Sequence, residues 1–297
     1  MLKNPIKRLL LLILCYYLLP IHSSSAQNTD SKHFLWQIRS EKATVFLLGS
    51  IHLAKEELYP LDSIITESYD SSDYLVVEVD MNKANPLEIM KRATYQDGQT
   101  LKSSLKLEVF NKMKDAFDSL KMPEILYSKM KPWFAVMTLT NLKLTKEGYK
   151  ADSGIDMFFM NSATNSKKEV LELESADFQI NLMDSVLGQF QNEFVLYTLK
   201  DLDSSSEAVD GMFDIWEKGD QQALEENILE QFKLLPNAEV FIKKFLTERN
   251  EKMAGKINDY LQTDKTYFVV VGAAHIIGKD GILDLLGKLK KYSIKQL

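Results

Sequence analysis

Histidines at two strand ends are the residues of this 297-residue chain whose types and spacing could do chemistry. His52 ends the stretch VFLLGSIH and His275 ends FVVVGAAH, so each follows an apolar run and a glycine. An apolar run that stops at a glycine is typical of a buried strand, because glycine lets the backbone turn sharply. Open α/β sheets bind ligands at the carboxyl ends of their strands, so both imidazoles are predicted to line a site.

The other two of the four histidines have different settings. His22 lies in the N-terminal leader, and His33 lies in a polar segment before the first strand. A single histidine at a strand end is more often a hydrogen-bonded structural residue than a ligand. Because both remaining histidines have the same setting, the pattern favours a functional role.

Two glutamates have comparable positions. Glu78 lies within the apolar run YLVVEVD, where a buried carboxylate costs several kcal/mol unless it is paired or bound to a metal. The alternative is that one face of this strand is wet and Glu78 points into water. Glu174 follows VLEL just before a predicted helix start, which would stabilise its negative charge. Its alternative is a simple capping or surface glutamate.

An arginine also falls on an apolar helix face. At helical spacing, Arg249 lies on the same face as an apolar stripe formed by Ile242, Phe245, Met253, Ile257 and Tyr260. An inward arginine is costly unless a carboxylate or an anionic substrate group meets it. The alternative is that Arg249 extends along the apolar surface to the helix edge and keeps its charge in water.

Two histidines with one or two glutamates suit a divalent transition metal such as manganese, iron, cobalt or zinc. A metal bound in this way lowers the pKa of a bound water and polarises a carbonyl, and a spare glutamate could act as general base. The sequence has no HExxH, no GxSxG and no phosphate-binding glycine loop. The common hydrolase and nucleotide-binding motifs are therefore missing.

The N-terminus has the pattern of a secretory signal peptide. Three basic residues precede the apolar run from Leu9 to Leu19, and Ser24 and Ala26 give a small-residue cleavage pattern. The apolar run is shorter than the roughly 20 residues of a spanning helix, and an uncleaved anchor is the weaker alternative. We therefore expect residues 1–26 to be a signal peptide and the mature protein to be exported, either to a periplasm or outside the cell.

Composition excludes further classes. Cleavage after Ala26 would remove three basic residues and lower the formal charge from −6 to −9, which argues against nucleic acid as a partner. It would also remove Cys15, the only cysteine, so neither a disulfide nor thiol chemistry is expected. Nothing after residue 30 is long and apolar enough to re-enter a membrane. Oligomeric state is not indicated by the sequence.

The elements that must position these residues follow an α/β pattern. Residues 44–50, 74–80 and 266–275 read as strands, and the helix of residues 60–73 between the first two predicts a parallel βαβ unit. The middle is helical except for a strand at residues 168–175, after which Ser175 could cap a helix. Helices then fill residues 177–261, with breaks predicted near Gly211, Gly219 and Pro236. A last helix and an edge strand, SIKQL, follow.

The predicted fold is therefore a single α/β domain over residues 27–297. It has a central, largely parallel sheet, flanking helices and a large helical cap.

The chain resembles the TraB/GumN family, which includes the Tiki proteases. The resemblance covers nearly the whole mature chain and rests, in order, on FLWQI, TVFLLGSIHLAKEELYPL, LVVEVD, MKPWFAVMTL, GYKADSGIDMFF, VLELES, LTERNEKMAGKI and TYFVVVGAAHIIGKDGILDLL. It implies a fold like that of the erythromycin esterase and ChaN group. Met253 is a departure, because many relatives have tryptophan there, and this bears on local packing.

The resemblance also implies a peptidase-like metal site formed by His52, His275 and Glu78, with Glu174, Arg249 and Asn250 as further site residues. Manganese or cobalt would be the metal by this resemblance, and zinc or iron would also suit the ligands. The expected partner is a peptide or protein substrate. Two alternatives use the same cleft: a non-catalytic module that binds a peptide or haem, and a metal-free esterase with histidine as base.

Overall fold

The computed structural model describes residues 32–202, 205–232, 235 and 237–297. The predicted signal peptide, with Cys15 and His22, lies outside the described residues, as does the predicted helix break at Pro236. Among the described residues, no helix combines the length and apolar character needed to cross a membrane.

Within the described residues, six strands form one mixed sheet in the order β4-β3-β5-β2-β1-β6. Strands β4, β3, β5 and β2 run parallel, whereas β1 is antiparallel to both β2 and β6. The predicted largely parallel sheet and the predicted edge strand SIKQL are therefore confirmed. The strands are β1 Leu35–Arg39, β2 Thr44–Ser50, β3 Tyr74–Val77, β4 Glu169–Glu172, β5 Thr266–Gly272 and β6 Ser293–Gln296.

Helices surround this sheet. The α-helices are α1 Ser63–Asp70, α2 Pro86–Ala93, α3 Leu101–Ser104, α4 Leu107–Ser119, α5 Glu124–Tyr127, α6 Pro132–Lys146, α7 Ile155–Ser166, α8 Ala176–Leu182, α9 Gln191–Asp201, α10 Ser205–Glu217, α11 Gln221–Phe232, α12 Ala238–Phe241, α13 Glu248–Tyr260 and α14 Ile282–Lys288. Two π-helical segments, Met183–Leu187 and Ile242–Thr247, continue α8 and precede α13.

The last long strand, β5, lies at the centre of the sheet. It separates β2 from β3, so the predicted βαβ unit is present with β5 inserted between its two strands. All residues of β5 after Thr266 are buried, which requires cover on both faces because neighbouring side chains point to opposite sides. Tyr69 of α1 and Phe159 of α7 provide part of this cover by contacting the ring of Phe268.

Local signals in the sequence mark the starts of two predicted helices. Pro132 is the first residue of α6, and the Ser175 side chain accepts a hydrogen bond from the backbone N–H of Phe178 at the start of α8. The predicted break at Gly211 is wrong, because α10 continues through it. A Cβ at Gly211 would meet nothing within 4 Å, and an exposed helical glycine costs only about 1 kcal/mol. Gly219, with φ of +59°, follows the end of α10 as predicted.

Helix α10 is hydrogen-bonded to the end of β2. The indole of Trp216 donates a hydrogen bond of 2.6 Å to the carbonyl of Gly49, three residues before the histidine that follows this strand. On the same helix Asp210 lies near the buried Lys55, whose Nζ is 4.7 Å from the centre of the Tyr149 ring. Burial raises the pKa of Asp210 to about 6, although the Lys55 charge opposes this.

We predict that Asp210→Asn removes part of the pH dependence of stability. The pKa of about 6 in the folded chain exceeds the roughly 3.9 of an unfolded aspartate, so folding favours the protonated form. The stability that the protonated Asp210 carboxyl contributes is fully present below about pH 4 and is lost as pH rises through 6. Urea unfolding at pH 5 and 7.5 should show the variant gaining stability relative to wild type at the higher pH. Asp115→Asn, on an exposed face, is the control, and a pH-independent difference would contradict the prediction.

Candidate active site

The carboxyl ends of the four parallel strands meet at one edge of the sheet. In the register, Ser50 of β2 lies opposite Gly272 of β5, and Val77 of β3 lies opposite Val270. The residues that follow these strand ends therefore share one pocket. The pocket contains His52, Glu78 and His275, as the sequence predicted, and also Arg249.

Buried Arg249 joins two buried glutamates. Its Nε donates to both carboxylate oxygens of Glu174, at 2.9 and 3.0 Å, and its Nη2 donates to Oε2 of Glu174 at 2.7 Å. The same Nη2 lies 2.6 Å from Oε2 of Glu78. The Arg249 side chain is 10% exposed, so the alternative of an arginine reaching out to water is wrong. Burial opposes the arginine charge, but the two carboxylates outweigh it and raise the pKa of Arg249.

Glu78 lies just past the end of β3, and both of its carboxylate oxygens accept hydrogen bonds. Its Oε1 accepts a 2.6 Å hydrogen bond from the backbone N–H of Gly272, and its Oε2 accepts from Gln179 as well as from Arg249. Burial favours the neutral acid, but the charges of Arg249 and the nearby histidines outweigh it and hold the pKa well below its usual range. Glu78 is 8% exposed, so the interpretation that it points into water is wrong.

His275 presents one defined nitrogen to the pocket. The side-chain nitrogen of Asn250 donates to the carbonyl of Asp280 at 2.9 Å, so Oδ1 of Asn250 is the acceptor for Nδ1–H of His275 at 2.6 Å. Nε2 of His275 therefore carries the lone pair, and it faces Oε1 of Glu78 at 3.8 Å. Burial and the Arg249 charge lower the pKa of His275 to about 3, which keeps the ring neutral.

His52 is fixed by a carboxylate instead of an amide. Its Nδ1 lies 2.6 Å from Oδ2 of Asp156, and the other oxygen of Asp156 accepts a 2.8 Å hydrogen bond from Ser50. Desolvation opposes protonation of His52, but the Asp156 carboxylate outweighs it and raises the pKa to about 9. The neighbouring Gly154 must lack a side chain, because a Cβ there would lie 1.9 Å from the carbonyl oxygen of His52.

The two imidazoles and Glu78 converge on the space beside Gly272. A Cβ on Gly272 would lie 3.3 Å from Oε1 of Glu78. The same position is 3.7 Å from Cδ2 of His275 and 3.8 Å from Nε2 of His52. Glycine at this position leaves room for a small group between the three side chains. Two lone-pair acceptors, Nε2 of His275 and Oε1 of Glu78, face each other there.

The π-helical segments contribute the apolar wall of the pocket. Leu182 and Met183 come from the first segment and its junction with α8, whereas Phe245 and Leu246 come from the second. The widened π turn often occurs at functional sites because it changes which residues face a neighbour. The cavity measures about 90 Å³, which suits a metal ion with its waters or one small chemical group.

Among the described residues, no three or more His, Cys, Asp or Glu side chains are grouped tightly enough to hold a metal ion. The donors closest to such a set are Nε2 of His52, Nε2 of His275 and Oε1 of Glu78.

Three side chains of the site were missed by sequence reasoning. Asp156 lies in the motif GYKADSGIDMFF, where an acidic residue in the first turn of an apolar helix was an available signal. Ser50 and Gln179 had no sequence signal, because their roles depend on residues 106 and 101 positions away. Of the predicted residues, Glu174 and Asn250 do not line the pocket and reach the site indirectly, Glu174 through Arg249 and Asn250 through His275.

A mixed, mostly parallel α/β fold with two histidines, two glutamates and an arginine at one sheet edge defines the class of this protein. Residues 34–296 match the sequence profile of the TraB/PrgY/gumN family, and the chain belongs to that family. The predicted family is therefore confirmed.

The chain is similar to the protein YbaP of Escherichia coli (strain K12), with 26% identity over 137 residues. That match covers 46% of this chain and 50% of YbaP, so the chain spans about half the length of the curated relatives it matches. The YbaP protein of Shigella flexneri matches with the same identity and coverage. No solved structure matches the chain at a significant level.

We predict that Arg249→Met destabilises the fold by about 3–5 kcal/mol, because it leaves the Glu78 and Glu174 charges buried without a partner. Chemical denaturation monitored by circular dichroism would measure this loss. Arg92→Met is the matched control, since the partner of Arg92, Asp177, is 74% exposed and such pairs contribute about 0–1 kcal/mol. Equal losses in the two variants would contradict the prediction.

Proposed function

We propose that this protein is an exported, metal-dependent hydrolase that acts on peptides or proteins. His52 and His275 would bind a divalent metal together with Glu78. The observation that carries the proposal is that each histidine has its Nδ1 fixed by a second side chain and turns its Nε2 toward the same space. Metal-binding histidines in proteins are held in this way, with the other ring nitrogen bonded to a carboxylate or carbonyl oxygen.

The residues present fit such a metal by their chemistry. Two imidazoles and a carboxylate suit manganese, cobalt, zinc or iron, and manganese or cobalt is our first choice from the family resemblance. Such an ion lowers the pKa of a bound water and polarises a carbonyl group. Nε2 of His275 and Oε1 of Glu78 lie 3.8 Å apart and face each other with lone pairs. A cation would satisfy both acceptors.

The remaining side chains position the site. We assign Arg249 to holding Glu78 in place, because their 2.6 Å contact fixes one carboxylate oxygen and leaves the other directed at the pocket. Glu174 anchors Arg249, since both of its oxygens accept from Nε of that arginine. We therefore favour this positioning role for Glu174 over that of general base. Asn250 fixes the tautomer of His275.

One observation favours this proposal over one of its alternatives, haem binding. A haem-binding module needs more room than the pocket offers, because its 90 Å³ falls below the roughly 300–1,000 Å³ of larger ligand sites.

We predict that the purified chain binds manganese or cobalt and that combining His52→Ala with His275→Ala abolishes this binding. Metal content after dialysis, measured by inductively coupled plasma mass spectrometry, tests the prediction. His33→Ala is the control, because His33 pairs with Asp62 away from the pocket. Unchanged metal content in the double variant would refute the metal site.

The hydrolase part of the proposal needs a separate measurement. Mass spectrometry of a peptide library incubated with the protein should show new termini with manganese and none with the double variant. Activity that survives a strong chelator would select the metal-free esterase. Peptide binding without new termini would select the non-catalytic module, and an absorption band on adding haem would select haem binding.

We also predict that Asp156→Asn weakens metal binding by about 10- to 100-fold. The amide can still accept a hydrogen bond from His52, but it no longer supplies the negative charge that makes the imidazole a better ligand. Isothermal titration calorimetry with manganese would measure the change in affinity. Asp152→Asn is the matched control, because Asp152 is exposed in the same segment. Equal affinities of the Asp156 and Asp152 variants would count against the role of Asp156.

A further inference from the structure

A second cavity adjoins the metal-binding pocket that we propose. It measures about 300 Å³, and we call it the Leu246 pocket. Leu246 and Ala274 line both cavities, so these two side chains form the wall between them. Asn250, which fixes His275, also lines the Leu246 pocket.

The Leu246 pocket is apolar inside and polar at its edge. Its apolar lining includes Ile228, Leu229, Ile242, Leu246 and Ile277. Glu225 and Lys279 lie among its polar residues, and Lys279 is exposed. Leu229 is 40% exposed and lies where this apolar lining meets solvent. The charged residues would suit the polar backbone of a peptide, and the apolar lining would suit one of its side chains.

We propose that the Leu246 pocket is a specificity subsite that takes a leucine, methionine or phenylalanine side chain next to the cleaved peptide bond. This inference rests on the proposed function, because the adjoining site would cleave the bond. The size of the Leu246 pocket supports the proposal, since an apolar cavity of about 150 Å³ already accommodates a benzene ring. The shared wall supports it as well, because a residue seated here lies beside the group held in the first pocket.

Binding can be tested without any turnover. In the full chain with labelled isoleucine methyl groups, N-acetyl-leucinamide should shift the NMR signals of Ile228, Ile242 and Ile277, whereas N-acetyl-serinamide should not. Leu229→Trp would fill the mouth of the pocket and abolish these shifts. Leu289→Trp is the matched control, because Leu289 is 41% exposed and lies outside the lining. Absence of the shifts, or equal shifts with both amides, would overturn the subsite.

Cleavage gives the second test. Peptides with leucine at the residue next to the cleaved bond should exceed serine peptides in kcat/KM by about 10- to 100-fold, as expected for burying that side chain. Leu229→Trp should bring this ratio close to one, and Leu289→Trp should retain it. Cleavage without a leucine preference would overturn the subsite alone. Leucinamide shifts without any cleavage would support the subsite and overturn the hydrolase.

Discussion

The buried contact of one arginine with two glutamates is the constraint on which the rest of the site depends. Arg249 comes from α13, Glu78 from the end of β3 and Glu174 from the end of β4, so one guanidinium ties three elements together. Buried ion groups of this kind often stabilise a fold no better than apolar side chains would. Their value here is better explained by position: the arginine fixes one oxygen of Glu78 and so directs the other toward the histidines.

The order of strands makes this arrangement possible. His52 and His275 are more than 200 residues apart in sequence, yet they follow strands that are direct neighbours in the sheet. Because β5 is inserted between β2 and β3, the same strand end also brings Gly272 against Glu78. A glycine at that position leaves the space that the three side chains share. The parallel sheet thus acts as a scaffold that brings distant segments to one edge.

The two GxxH segments have opposite electrostatic surroundings despite their similar sequences. His52 has a carboxylate partner and a raised pKa of about 9, whereas His275 has an amide partner, deeper burial and a lowered pKa of about 3. The π-helical segments and the adjoining Leu246 pocket surround this polar centre with apolar surface.

The sequence by itself indicated five of the six strands described, the helix starts at Pro132 and after Ser175, and the two histidines at the strand ends; β1 was not predicted. Apolar runs that stop at glycine, a capping serine and a proline at a helix start act over a few residues, so they can be read locally. For the same reason Arg249 could be placed on the helix face that carries the apolar stripe, whereas its burial was decided by the tertiary structure. Gly211 was misread because a single exposed glycine weakens a helix by too little to end it.

Only the tertiary structure decided how these residues are used. The pairing of Arg249 with both glutamates, the contacts of Asp156 and Gln179, and the tautomer of His275 all join residues that are far apart in sequence. The two π-helical segments also have no local signal that we recognised. The physical reason is that burial and charge pairing are properties of the packed chain: the same side chain is solvated or buried, and paired or unpaired, according to elements that the local sequence does not contain.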